Sequence, residues 1–314
     1  MKIACDNIDR LTTVSIRPQG MPRKKMAELY EAVRGEEAVS FQIANTLLAS
    51  PAAKIGIFTG AAVPEKLPNG ENDGPIGSVV LARALAQLGY SVSIFTEIES
   101  LEPTREFAKL IGCDVPVEEL EKQPGAQHTR LSEQLEVAFT IEKAGVNEKG
   151  VQHSINGNSR SGTRAVIDGI INSMNAAGKT TVGIGDGGNE IGFGKVFDLA
   201  REILPFGKQC ACGCGGGIVT STATTYLYPV SISNWGAYAL AAALAIGSER
   251  PEIALKPEEE EKLLRRAVEL DCRDGGTGKA VFAVDGVSGE ASMCFVRLLQ
   301  ELVEKTLTSF VRDF

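Results

Sequence analysis

At 314 residues the chain could hold two domains, but doubly wound sheets often reach this size as one unit, so the order of elements has to decide. Its 43% hydrophobic and 23% charged residues are those of a globular protein, and no apolar run approaches the roughly 18 residues that a membrane-spanning helix needs. A net charge of −8 argues against a nucleic-acid partner, whose phosphates demand a basic surface, and the densest basic run, Arg23, Lys24 and Lys25, reads as the solvated start of a helix.

Residues 1–50 read as a helical N-terminal arm packed on a single α/β domain over 51–314. Met26, Leu29, Tyr30 and Val33 recur at helical spacing, Gly35 interrupts, and Ile43, Leu47 and Leu48 resume the pattern. Lys54 to Thr59 is a short buried strand, Gly60 opens a polar loop, and a helix runs from Pro75 to Leu88 before the strand Ser91 to Thr96. The alternation continues with a helix near 103–111, strand Cys113 to Val117, a helix near 130 and strand Glu136 to Ile141. A helix over Thr163 to Ala177 then leads to strand Thr180 to Ile184. A short helix and a cysteine-rich segment precede strand Tyr226 to Ser231, the apolar helix Tyr238 to Ile246, a charged helix near 257–270 and a last helix near 289–306. Such alternation predicts a doubly wound, mainly parallel sheet with helices on both faces, a three-layer α/β/α fold.

Seven cysteines, odd in number and irregularly spaced, do not make a disulfide framework, and MKIACDNIDR has neither a signal-peptide core nor a basic transit pattern, so a reducing cytoplasm is expected. In a strand, Cys210, Cys212 and Cys214 would all point to one face, and no histidine follows; they read as small buried residues beside a Gly-rich turn rather than as a zinc site. His128 and His153, the only histidines, read as surface residues.

In open parallel sheets ligands sit beyond the carboxyl ends of the strands, and three loops there have the composition for it. The first joins Thr59 and Gly60 to Glu71, Asn72, Asp73, Gly74 and Pro75, where Asp73 is also a candidate helix cap. The second, Gly183 to Glu190, packs Gly187 and Gly188 among Asp186, Asn189 and Glu190, which supply acceptors, a donor and a candidate catalytic acid/base pair. It also satisfies G-x-G-x-x-G, so a Rossmann-like oxidoreductase is one alternative, although the motif comes late in the chain and no helix follows at once. The third is Ser233, Asn234, Trp235 and Gly236, at a strand-to-helix junction. The polar run HSINGNSR, His153 to Arg160, is a weaker fourth.

Taken together, TG and ENDGPIG at 59–77, GIGDGGNEIGFGKV at 183–196 and SNWGAYAL at 233–240 resemble the D-glutamate cyclase-like C-terminal domain, from about residue 30 onward. IEKAG at 141–145 looks like the same family's strand-end segment and adds Glu142 to the candidates. The resemblance implies a lyase that converts D-glutamate to 5-oxo-D-proline and water, with Asp73, Gly74, the stretch Asp186 to Glu190 and the stretch Asn234 to Gly236 around an acidic amino acid. Asn72, Phe193, Ala237 and the HSINGN segment depart from the family pattern. The resemblance also implies that in the animal enzyme a hydro-lyase-like domain precedes this one, and no counterpart is expected here. Asp186 and Glu190 are the expected catalytic pair; magnesium or manganese on Asp73 and Asp186 would suit the hard oxygen ligands. A non-catalytic amino-acid or nucleotide-binding module is the other alternative. The helix Tyr238 to Ile246 is expected to be either core or a homo-oligomer interface.

Overall fold

The computed structural model describes residues 1–17, 25–50 and 53–308, so Arg23 and Lys24 of the basic run lie outside it. Six strands, β1 (Lys54–Phe58), β2 (Ser91–Thr96), β3 (Val117–Glu119), β4 (Val137–Ile141), β5 (Thr180–Gly185) and β6 (Tyr226–Pro229), form one sheet in the order β3-β2-β1-β4-β5-β6. Every pairing in it is parallel. Parallel strands are covered on both faces, which is why the central strand VAFTI is buried at every residue.

The helices are α1 (Lys2–Thr12), α2 (Lys25–Arg34), α3 (Val39–Leu48), α4 (Pro75–Gln87), α5 (Ile98–Leu110), α6 (Ala126–Gln134), α7 (Asp168–Ala176), α8 (Phe197–Ile203), α9 (Ser233–Gly247), α10 (Pro257–Glu269) and α11 (Gly289–Leu307). A small antiparallel hairpin, β7 (Ala283–Val284) and β8 (Val287–Ser288), precedes α11. On one face of the sheet α1, α3, α4, α5, α9, α10 and α11 share a core with Ile57, Ile94, Phe139 and Ile184. On the other, Leu131 of α6 and Ile170, Ile171 and Met174 of α7 pack against Phe58, Phe95 and Ala138. The architecture is the expected three-layer α/β/α sandwich.

The chain steps outward from β1 to β3 through α4 and α5, and α6 then carries it back past β1 to β4. The winding therefore reverses between β1 and β4, and the crevice beyond their carboxyl ends is where such sheets bind ligands.

The α1 helix lies within the segment read as a helical arm, and beside its buried Ala4, Cys5 and Ile8 it also buries a carboxylate, Asp9. Asp9 accepts hydrogen bonds from Tyr30 Oη (2.6 Å), Tyr228 Oη (2.6 Å) and the Ser40 amide (3.2 Å), tying α1 to α2, α3 and β6. The α5 helix begins before Pro103, β3 follows rather than covers Cys113, and α7 starts at Asp168 rather than Thr163. There Asp168 accepts from the Val146 amide (3.0 Å) and from Thr222 Oγ1 (2.5 Å), which anchors the first turn to neighbouring loops. Both histidines, expected at the surface, are buried: His128 Nε2 bonds the Glu121 carbonyl (2.8 Å), and His153 is fully enclosed. The α9 helix is buried from Ser233 to Ile246, packed against α4, α3, α11 and α1, which decides the core-or-interface question in favour of core. Among the described residues no helix is long and apolar enough to cross a membrane.

Candidate active site

Two helices meet the crevice with their N-termini, and each caps the other. The first amides of a helix lack intrahelical acceptors. The Asp73 carboxylate, just before α4, accepts from the α9 amides of Asn234 (2.7 Å) and Ser233 (3.2 Å). In return Asn234 Oδ1 accepts from the α4 amides of Gly74 (2.9 Å) and Gly77 (2.6 Å), while its Nδ2 donates to the Asn72 carbonyl (3.1 Å). A Cβ on Gly77 would stand 2.8 Å from Asn234 Oδ1, so the absence of a side chain there is what lets the helices approach.

Carboxylates from the neighbouring strand ends converge on Asp73. Glu142 follows β4 with φ of +51°, a conformation that a residue with a side chain adopts at a cost, and such strain collects at functional sites. Its Oε2 accepts from Ser233 Oγ (2.6 Å). Asp186 follows β5 and accepts from Arg17 Nη2 (3.2 Å). One oxygen from each of Asp73, Glu142 and Asp186 falls within 4.8 Å of the others. Beside them lies a cavity of about 510 Å³ whose walls carry Glu71, Glu142, Asp186, Glu190 and Asp285 together with Arg17, Arg160 and Arg164. Arg164 is buried, and among the described residues its Nε has no hydrogen-bond acceptor.

Burial raises the whole acidic group, and repulsion between its members adds to this at Glu71, Asp73, Glu142 and Glu190. Burial is the larger cause for Asp73, with Asp186 next, and for Glu142, with Glu190 next; both are pushed well above the ordinary carboxylate range. Burial also raises Asp186, opposed by Arg17. Glu190 is pushed up to about 7 by burial and then by Asp186, and Glu71 to about 8 by burial, against the pull of Arg164. The folded protein thus keeps protons that an unfolded chain releases near 4.5, the ordinary glutamate value. The stability these groups contribute is complete below that pH and is lost as pH rises through about 7 and 8. The melting temperature is therefore expected to fall between about pH 5 and 8, and to fall less in Glu190→Gln. A wild-type melting temperature that is flat or rising over that range would contradict this account.

Of the expected residues, Glu142, Asp186, Gly187, Asn189 and Glu190 line the cavity, and Asp73 adjoins it through the carboxylate cluster. Gly74, Ser233 and Asn234 form the interlocked helix starts behind it. Thr59 and Gly60 lie beneath, over a fully buried ion pair of Lys143 with Glu97; Lys143 Nζ also bonds the Thr59 carbonyl (3.4 Å). Trp235 faces the core rather than the cavity, stacked on Phe295 at 4.1 Å and bonded to Ser292 Oγ (2.9 Å), and Gly236 is closed in by Ile184 and Val230. Glu71, which belongs to the first candidate loop, also lines the cavity; residues not anticipated at the site are Arg17, Arg164 and Asp285. Asp285 pairs with Arg17, and the Gly-rich turn Gly275 to Gly278 forms a further wall. The one signal for the arginines was Arg160 and Arg164, four positions apart in a polar segment of an acidic chain.

The G-x-G-x-x-G match has a different use here from phosphate binding. The Gly187 and Gly188 amides donate to Glu190 Oε2 (3.2 and 2.9 Å), so the chain's own carboxylate occupies the donors that a pyrophosphate would need. A Cβ on Gly183 would stand 2.3 Å from the Ile191 carbonyl oxygen, so that glycine packs the loop back onto its own strand.

Residues 24–300 match the D-glutamate cyclase-like, C-terminal family. The human protein named D-glutamate cyclase, mitochondrial, is 25% identical over 281 residues, an alignment covering 76% of this chain and 43% of the human protein. The chain thus spans less than half the length of that relative.

Proposed function

The chain belongs to the D-glutamate cyclase-like family, and from that premise we propose that it closes D-glutamate to 5-oxo-D-proline with loss of water. The observation that carries the reading is the charge pattern of the cavity: five carboxyl groups and three guanidinium groups line it, and the buried Arg164 has no acceptor for its Nε among the described residues. A buried donor left without an acceptor is costly, so the Arg164 guanidinium favours an added anion in the cavity. An amino acid with two carboxylates and one ammonium group meets both sides of such a cavity.

Ring closure forms a bond between the α-nitrogen and the γ-carboxyl carbon and breaks one carbon–oxygen bond. In this proposal Arg164 and Arg160 hold the substrate carboxylates. Asp186, whose ionised form Arg17 favours, takes a proton from the ammonium group. Glu190, protonated up to about pH 7, gives its proton to a γ-carboxyl oxygen. After attack the second proton on nitrogen passes to Glu190, and the proton on Asp186 leaves with the oxygen as water. Both residues end as they began. Holding amine and carboxyl together removes much of the entropic barrier.

The carboxylates of Asp73, Glu142 and Asp186 also fit a hard divalent cation, magnesium or manganese, since each keeps an oxygen within reach of the others and all three repel one another without one. Such an ion would polarise the γ-carboxyl group. The test is incubation of purified protein with D- and L-glutamate, with and without Mg²⁺ or Mn²⁺, following 5-oxoproline by chromatography. Product from the D isomer above the uncatalysed rate is expected. A melting-temperature shift by glutamate with no product under any of these conditions would replace the lyase with a binding module.

A further inference from the structure

The histidine that sequence spacing did not supply to Cys210, Cys212 and Cys214 comes from another loop. The C-x-C-x-C segment is a turn, not a strand, and Gly213 (φ +80°) and Gly215 (φ +77°) bend it so that three thiols surround one point. Neither glycine is there for space, since a Cβ on either would meet nothing within 4 Å; the conformation alone needs them. Cys210 Sγ lies 3.4 Å from Cys212 Sγ and 3.3 Å from Cys214 Sγ, and His153 Nε2 lies 3.2 Å from Cys212 Sγ and 3.7 Å from Cys214 Sγ. All four donor atoms fall within 4.8 Å of one another, and all three cysteines are free.

From these positions we infer that Cys210, Cys212, Cys214 and His153 form a structural zinc site, separate from the carboxylate cluster. Zinc–sulfur bonds of about 2.3 Å at the tetrahedral angle put neighbouring ligand atoms about 3.8 Å apart, close to the spacings seen. An iron–sulfur cluster would need its thiolates farther apart. Three thiolates and one imidazole are a closed ligand set, and Asn147 Nδ2, 3.4 Å from Cys214 Sγ, donates a hydrogen bond to that sulfur. Neutral thiols are weak hydrogen-bonding groups and would not by themselves draw three side chains around a buried imidazole. The segment also needs a clamp, because five of the eleven residues from Gly207 to Gly217 are glycine and lose much backbone entropy on ordering.

The clamp would act on the cavity wall. The Gly157 carbonyl accepts from the Ala211 and Cys212 amides (3.0 and 3.2 Å), and the His153 carbonyl accepts from Asn189 Nδ2 (3.0 Å). Ser154, Ile155 and Asn156, between them, line the cavity. Zinc would fasten this loop to the Gly-rich segment, with the three thiols releasing their protons as it binds.

Protein purified without chelators is expected to carry about one zinc per chain by elemental analysis. Cys210→Ser and His153→Asn should lose it, and Cys294→Ser should keep it. A measurement on the wild-type chain guards against variants that do not fold: Cys212 and Cys294 are both exposed, so with metal bound only Cys294 should react readily with a thiol reagent. A strong chelator should make Cys212 reactive and speed amide exchange at 153–160 and 206–217. Cobalt in place of zinc should show thiolate-to-metal charge transfer and tetrahedral d–d bands. Failure to bind zinc on titration, zinc retained in both ligand variants, or a disulfide among these cysteines would overturn the assignment. None of these readouts depends on turnover of glutamate.

Discussion

Asp186→Asn is expected to lower D-glutamate cyclisation on the order of 10²- to 10³-fold, the usual contribution of a positioned proton-transfer group. Asp186 adjoins both Asp73 and Glu142, lines the cavity and is held by Arg17, so the amide keeps the shape and removes the base. The fold should not suffer. Removing one negative charge beside Glu71, Asp73, Glu142 and Glu190 relieves repulsion, so the variant should melt no lower than wild type. Turnover and melting temperature measured on the same preparation separate the two effects. Unchanged turnover would remove Asp186 both as base and as an essential metal ligand.

Asn234→Ala is expected to be the most damaging small substitution for stability. It leaves the amides of Gly74 and Gly77 and the carbonyl of Asn72 without that partner in a region closed to water. Buried unsatisfied groups cost about 1–3 kcal/mol each, so a loss on the order of 3 kcal/mol is expected even though Asp73 still accepts from Gly74. Denaturant titration measures it, and a midpoint equal to wild type would show that the exchanged caps contribute nothing. Because Asp73 is held by the α9 amides, the variant should also disturb the carboxylate cluster and lower turnover in the folded fraction.

Much of this is legible in the sequence. Alternation of strand-like runs with helical periods predicted a parallel sheet under two helix layers, because a period of two or 3.6 is a local property that survives in the linear chain. The Gly183 to Glu190 loop stood out for the same reason, since glycines and acids packed directly after a strand are all within eight residues. Local signals misled where a polar residue had a distant partner. The burial of Asp9 in α1 was not legible because its hydrogen-bond donors are as far off as Tyr228. Trp235 and Asn234 looked like ligand contacts because nothing nearby revealed Phe295, Ser292 or the α4 amides that occupy them.

The sequence alone determined the order of elements, the layers they pack into and the loops at the strand ends, because each follows from local period and turn chemistry. Only the tertiary structure decided which charges share the crevice and which ligands share a point. Arg17 meets Asp186 across 169 positions, and His153 meets Cys212 across 59. Electrostatics and coordination depend on distance in space, and that distance is set by how the loops and helices pack around the sheet, not by the spacing of residues along the chain.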